Sequence, residues 1–282
     1  MAGSASSSVQ KARKDLANRL AEIRRDAGLT GRDLATAMGC YPSKVSRLQN
    51  ATTPPSAADI RAWCWACGAA DQAADLIESL RAVEGMFVEW RRMERAGLRR
   101  AQEDRLPLYE RTRRFRAYSS WLVPGLIQTR AYTTATLREI QRRRGLPDDV
   151  DEATEARMER QKLLYEPGRT FAFVVEESVL RSGPGDAEVM VGQLGHLITV
   201  SSLPNVSVGV APTSPGRGRW AAEGFWIYDS AQVNVELVSG YLTITHPPEV
   251  AMYAETFEQF VNSALYGVKA RALMAEVLQG LG

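Results

Sequence analysis

Ser43, Lys44 and Arg47 lie within five positions of one another, at a spacing that on a helix turns all three away from the apolar pair Val45 and Leu48. A guanidinium can bond bidentately to guanine or to a phosphate. An ammonium meets phosphate as a point charge, and a hydroxyl bonds to either. Thr30, Arg32, Tyr41 and Ser46 border these three in the chain. Together Thr30, Arg32, Tyr41, Ser43, Lys44, Ser46 and Arg47 form a candidate set for contact with double-stranded DNA.

Such a set needs a rigid helical frame, and the flanking residues predict one. Leu16, Leu20, Ile23 and Ala27 recur at helical spacing, and Gly28 stops that helix. Thr30 and Asp33, three positions apart, form a capping box for a second, short helix with Leu34, Ala35 and Met38 inward. Gly39 ends it, Cys40 and Tyr41 make the turn, and Pro42 opens a third helix where no backbone donor is needed. A fourth helix follows over Ala57–Ala66, and a fifth begins near Asp71. Helix, short helix, tight turn, helix is the geometry that lets the third helix enter a major groove.

Charge is distributed to match. The 282 residues carry a net +2, yet residues 1–70 hold ten basic against five acidic side chains, while residues 117–282 hold fourteen against nineteen. Residues 91–116 are the densest, with ten arginines against four acids. A basic front on an acidic back suits a nucleic-acid-binding head joined to a body that does not bind nucleic acid. The polar residues 1–15 rule out a signal peptide, and no run is long and apolar enough to cross a bilayer, so the expected compartment is the cytoplasm, in association with the nucleoid. Cys40, Cys64 and Cys67 are too few for a zinc site, and Cys64 and Cys67 read as buried positions of the fourth helix.

The predicted organisation is therefore a flexible arm over 1–14, an all-α helix-turn-helix domain of five helices over 15–85, an arginine-rich helical linker over 86–116, and a C-terminal domain over 117–282. That last domain reads as α+β with a small, mostly antiparallel sheet. Its strands are expected at 171–176, 206–211, 225–228, 233–238 and 241–245, with two closing helices. It shows no nucleophile elbow, no paired metal-binding histidines and no phosphate-cradling loop. Glu176 and Glu177 end a strand, but adjacent strand residues face opposite sides. His196 reads as a hydrogen-bonded core histidine and His246 as part of a turn. The loop Pro215-Gly216-Arg217-Gly218-Arg219-Trp220 reads as a flexible hairpin connection, with anion or ligand capture by its arginines and Trp220 as the alternative. These residues predict no enzyme, no cofactor and no metal site.

The front segment, Leu29 to Ala35, Pro42 to Leu48 and Pro54-Pro55-Ser56, resembles the xenobiotic-response-element helix-turn-helix. Two positions depart from that pattern. Gly31 stands where a DNA-contacting Gln is usual, and Tyr41 where a small capping residue is usual. The departures leave backbone clamping weaker or passed to Arg32, and bring Tyr41 itself toward the DNA. Phrases in the back half, Val123 to Tyr132, Arg157 to Leu164, Val175 to Leu180, and Gln193-Leu194 to Asn205-Val206, resemble the companion domain of WhiJ-type, antitoxin-like regulators of actinobacteria. The resemblance implies a transcriptional regulator, repressor or antitoxin-like, whose C-terminal domain mediates dimerisation and holds a small partner protein encoded nearby. One head touches few base pairs, so a homodimer on a palindromic site is the expected arrangement. The alternative is a regulator whose C-terminal domain senses a small molecule.

Overall fold

Local chemistry sets the helix ends of the first unit, Met1–Val88 in a computed structural model that describes residues 7–214 and 220–281. Helix α1 spans Ser7–Asp26, so helix begins inside the stretch expected as an arm. Helix α2 is Gly31–Ala37, α3 Pro42–Gln49, α4 Ala57–Ala66 and α5 Ala73–Gly85. The Thr30 hydroxyl accepts from the Asp33 N–H at 3.2 Å, and Asp33 Oδ2 accepts from the Thr30 N–H at 2.9 Å. Ser56 and Asp59 repeat that reciprocal cap on α4. Gly39 takes φ +62° in the turn before α3, a conformation that disfavours any residue with a Cβ. Leu20, Leu34, Val45, Leu48, Ile60 and Trp63 pack one core, and the Trp63 indole N–H donates to the Leu20 carbonyl at 2.9 Å. Cys64 is buried in it and Cys67 half-buried, and burial pushes both thiols up.

Between the two halves of the chain run strand β1, Phe87–Glu89, and helix α6, Trp90–Met93, followed by α7, Leu98–Glu103, and α8, Leu106–Arg111. Strand β2, Arg114–Ser119, comes next. It lies where an arginine-rich linker was expected, and it is central to the sheet. Alternation explains this. Phe115 and Ala117 enter one core of the second unit, Tyr118 the other, and Arg116 is buried with its guanidinium donating to the Asp229 carbonyl at 2.6 Å.

Helices α9, Arg130–Arg144, and α10, Val150–Gln161, then precede β3, Thr170–Glu176, α11, Glu177–Arg181, and α12, Ala187–Val200. Strands β4, Val206–Ala211, β5, Phe225–Tyr228, β6, Gln232–Glu236, and β7, Gly240–Ile244, lead to α13, Pro247–Ser263, and α14, Gly267–Gln279. Within the second unit the strand order is β7-β6-β5-β2-β3-β4. Pairs β2–β3 and β3–β4 are parallel; β2–β5, β5–β6 and β6–β7 are antiparallel. This corrects the expected small, mostly antiparallel sheet: six strands form a mixed sheet, because β2 joins a parallel half to an antiparallel half. Cores lie on both faces, one with α12 and α14, the other with α13, where Phe260 stacks on Tyr118 at 3.8 Å. Off the first of these, α7, α9 and α10 enclose a smaller cluster of Leu98, Leu137, Val150 and Ala153. The Asp149 carboxylate ties α7 to the start of α10, accepting from the N–H groups of Leu98 and Arg99 at 3.0 and 2.8 Å.

Candidate nucleic-acid interface

Helix α3 buries Val45 and Leu48, and that choice of face leaves Ser43, Ser46 and Arg47 in solvent. Its first turn carries Pro42, and Tyr41 sits at the N-cap with no side-chain cap bond and 82% exposure. Arg24 of α1 braces the helix: its Nε donates to Gln49 Oε1 at 3.0 Å and its Nη1 to the Leu29 carbonyl.

The candidate residues fall into two groups. Thr30 and Arg32, at the start of α2, share a shallow groove with Pro42, Ser46 and Gln49 of α3. Gly31 lies in this groove too, and a Cβ there would meet only Val45 Cγ1 at 3.9 Å, so the floor is open where a larger residue would fit. Thr30 is occupied as the α2 cap, and the same bonds hold the Asp33 carboxyl below its ordinary value. Ser43 and Arg47 form the second group, one turn apart on the exposed face; Arg47 makes no ion pair among the described residues.

Lys44 stands apart from both. Its Nζ lies 2.6 Å from Asp59 Oδ1, across from α3 to the first turn of α4. The bond raises the Lys44 pKa. Burial pushes the Asp59 carboxyl up, but the bonds from Lys44 and Ser56 outweigh it and leave the carboxyl below its ordinary value. Lys44 keeps 42% of its side-chain surface, so the ammonium is shared between Asp59 and solvent. Sequence reasoning missed this pairing; the only signal was the capping box Ser56-Ala57-Ala58-Asp59, which fixes Asp59 at the start of α4.

The other groups singled out in the chain have structural duties. Glu176 Oε1 accepts from the Tyr118 hydroxyl at 2.5 Å, and Glu177 pairs with Arg181 and caps the Thr213 N–H. His196 is half-buried with its Nε2 unpartnered among the described residues, which corrects the expected hydrogen-bonded core histidine; burial lowers its pKa. Residues 215–219 of the glycine-arginine loop lie outside the described residues, and Trp220 is exposed. No helix among the described residues is long and apolar enough to cross a membrane, and no group of three metal-ligating side chains occurs among them.

A family model described as a helix-turn-helix domain matches residues 15–77, and one described as a domain of unknown function, DUF5753, matches residues 103–276. The first match, with the three-helix geometry above, supports a DNA-binding regulator. Comparison with curated proteins gives no match. Among solved structures, the archaeal chromatin protein TrmBL2, described as showing a novel mode of DNA binding, aligns over 85% of this chain and 88% of its own, at 10% identity and a TM-score of 0.32. So low a score carries no argument about fold or function.

Proposed function

The chain belongs to the DUF5753 family, and on that premise we propose that it is a sequence-specific, double-stranded DNA-binding transcriptional regulator of the WhiJ-like, antitoxin-related kind, acting at the nucleoid. The observation that carries the reading is the solvent-facing side of α3, where Arg47 and Ser43 stand free on a helix braced by Arg24 and a packed core. In this reading α3 enters the major groove, Arg47 reads base edges, and Ser43, Ser46, Arg32 and Tyr41 bond to the backbone or neighbouring bases. Lys44 joins them by exchanging Asp59 for a phosphate. Thr30 acts through its cap. A homodimer supplies two half-sites, and the second unit, acidic over residues 117–282, dimerises and holds a small partner protein. A second reading, in which that unit senses a small molecule, is favoured by an arginine-lined cavity within it.

The test is fluorescence anisotropy on a duplex selected from random sequence with the full chain. Replacing Arg47 with Ala is expected to weaken specific binding by about 1–3 kcal/mol and to relax base preference. Wild-type affinity in the folded Lys44→Ala, Arg47→Ala double variant would reject the α3 assignment. Light scattering that finds only monomer, free and on DNA, rejects the dimer.

A further inference from the structure

Burying a guanidinium costs several kcal/mol unless a carboxylate or a full set of hydrogen-bond acceptors receives it. Two arginines of the second unit follow that rule with carboxylates. Arg105 pairs with Glu236 at 3.2 Å, and Arg144 pairs with Glu94. Arg157 and Arg160 do not. They sit one turn apart on α10 and so lie on one side of it. Arg157 Nε and Arg160 Nη2 both donate to the same neutral atom, Gln102 Oε1, at 3.2 and 3.1 Å. The remaining acceptors are neutral too: Gln128 Oε1 for Arg157 Nη1 at 2.9 Å, and the Gln102 carbonyl for Arg160 Nη1 at 3.1 Å. Arg160 is 95% buried by its 5% exposure, lies over the Tyr109 ring, and its Nε has no partner among the described residues. Neither guanidinium has a carboxylate partner among the described residues.

These two side chains line a cavity of about 120 Å³, walled elsewhere by Leu137, Ile140 and Trp226; Glu236 and Glu94 also reach its wall, each paired with its own arginine, Arg105 and Arg144. It reaches the surface beside Trp121 and Arg143, both exposed. The volume is that of roughly four water molecules at about 30 Å³ each, enough for an anionic group and a short apolar portion. Burial, then the nearby charges of Arg160 and Arg105, push Arg157 down to about 9. Arginine keeps its proton in proteins, and Glu236 offsets only part of the shift. A purely structural clamp between α7 and α10 needs donors only, and neutral side chains supply those without the cost of charge.

We propose that this cavity is a binding site for a small oxyanion-bearing molecule, a carboxylate or phosphate compound, with its anionic group held between Arg157 and Arg160 and its apolar part against Leu137 and Trp226. Two forked donors side by side match the paired oxygens of either group. The site deepens the sensor reading, yet its occupancy can be measured with no DNA present.

The experiment titrates the full chain with benzoate, with inorganic phosphate and with neutral benzamide, at constant ionic strength set by chloride, following heat release and melting temperature. Benzoate, phosphate or both are expected to bind at one site and, at about ten times Kd, to raise the melting temperature by about 3–6 °C. A response to benzoate alone identifies a carboxylate site, and a response to phosphate alone a phosphoryl site. Arg157→Met is expected to stay folded and to bind at least tenfold more weakly; Arg157→Gln takes its place if the Met variant does not fold. Failure of both anions to bind the wild type overturns the proposal, as does equal binding by the folded variant or an equal response to benzamide. DNA anisotropy with the bound anion then separates the two ideas: anion binding that leaves DNA affinity unchanged upholds the site and counts against the sensor reading.

Discussion

Arg47 on α3 and Arg157 on α10 are the same side chain in opposite surroundings. Arg47 is hydrated, unpaired among the described residues, and carried on a helix whose apolar side is packed. Its charge stays hydrated, and in the proposed reading it meets a polyanion whose counterions it displaces. Arg157 is drawn into a wall shared with Arg160, bonded to two glutamine side chains and, among the described residues, to no carboxylate. There the charge opposes the fold until an anion arrives. Surface arginines in the first unit point to a large partner met at the surface, while arginines lining a cavity point to a small one taken inside.

Three substitutions bear on that contrast. The largest effect is expected at Trp63, fully buried beneath α3 and bonded to Leu20. Trp63→Ala should destabilise the first unit by about 3–5 kcal/mol and abolish DNA binding. Benzoate or phosphate binding by the second unit should persist, and calorimetric titration of the variant checks it; loss of both activities together would break the division of labour. A smaller effect, of opposite sign, is expected at Arg157. In Arg157→Met, Gln102 Oε1 still receives Arg160, and Gln128 Oε1 still receives the Thr133 hydroxyl at 2.9 Å. Removing the uncompensated charge should therefore stabilise the ligand-free protein by about 1–2 kcal/mol in urea unfolding, where a surface arginine change would stay near zero. Clear destabilisation would show that Arg157 is chiefly a clamp.

The smallest effect is expected at Asp59. Asp59→Asn keeps the shape of the α4 cap while releasing Lys44 to solvent. Non-specific DNA binding at low salt should tighten about two- to fivefold, as an exposed ion pair holds only about 0–1 kcal/mol. Anisotropy with a random duplex measures it. Unchanged or weaker binding would place Lys44 outside the DNA contact.

Much of the first unit was legible from residue order. Thr30 with Asp33, Gly39 in its turn and Pro42 at the head of α3 act within a few residues of one another, so their effects survive without the rest of the fold. In the second unit, Val206–Ala211 and Phe225–Tyr228 lie where apolar runs between turns placed them. Strand β2 was hidden because Arg114 and Arg116 made it look like part of a solvated charge run. The alternating Phe115, Ala117 and sheet-facing Tyr118 were present, but charge dominated the composition.

The sequence by itself determined two things about this protein: a capped, basic helix-turn-helix at the front, and a longer α/β chain behind it. Tertiary structure decided which charges are available. Lys44 and Asp59 are fifteen positions apart, and Gln102 lies more than fifty positions from Arg157 and Arg160, so no local pattern joins either set. Capping, helical period and turn chemistry act over a few residues. Desolvation depends on which distant surfaces close over a group, and that alone leaves one arginine hydrated on a helix face and another half-buried beside a cavity.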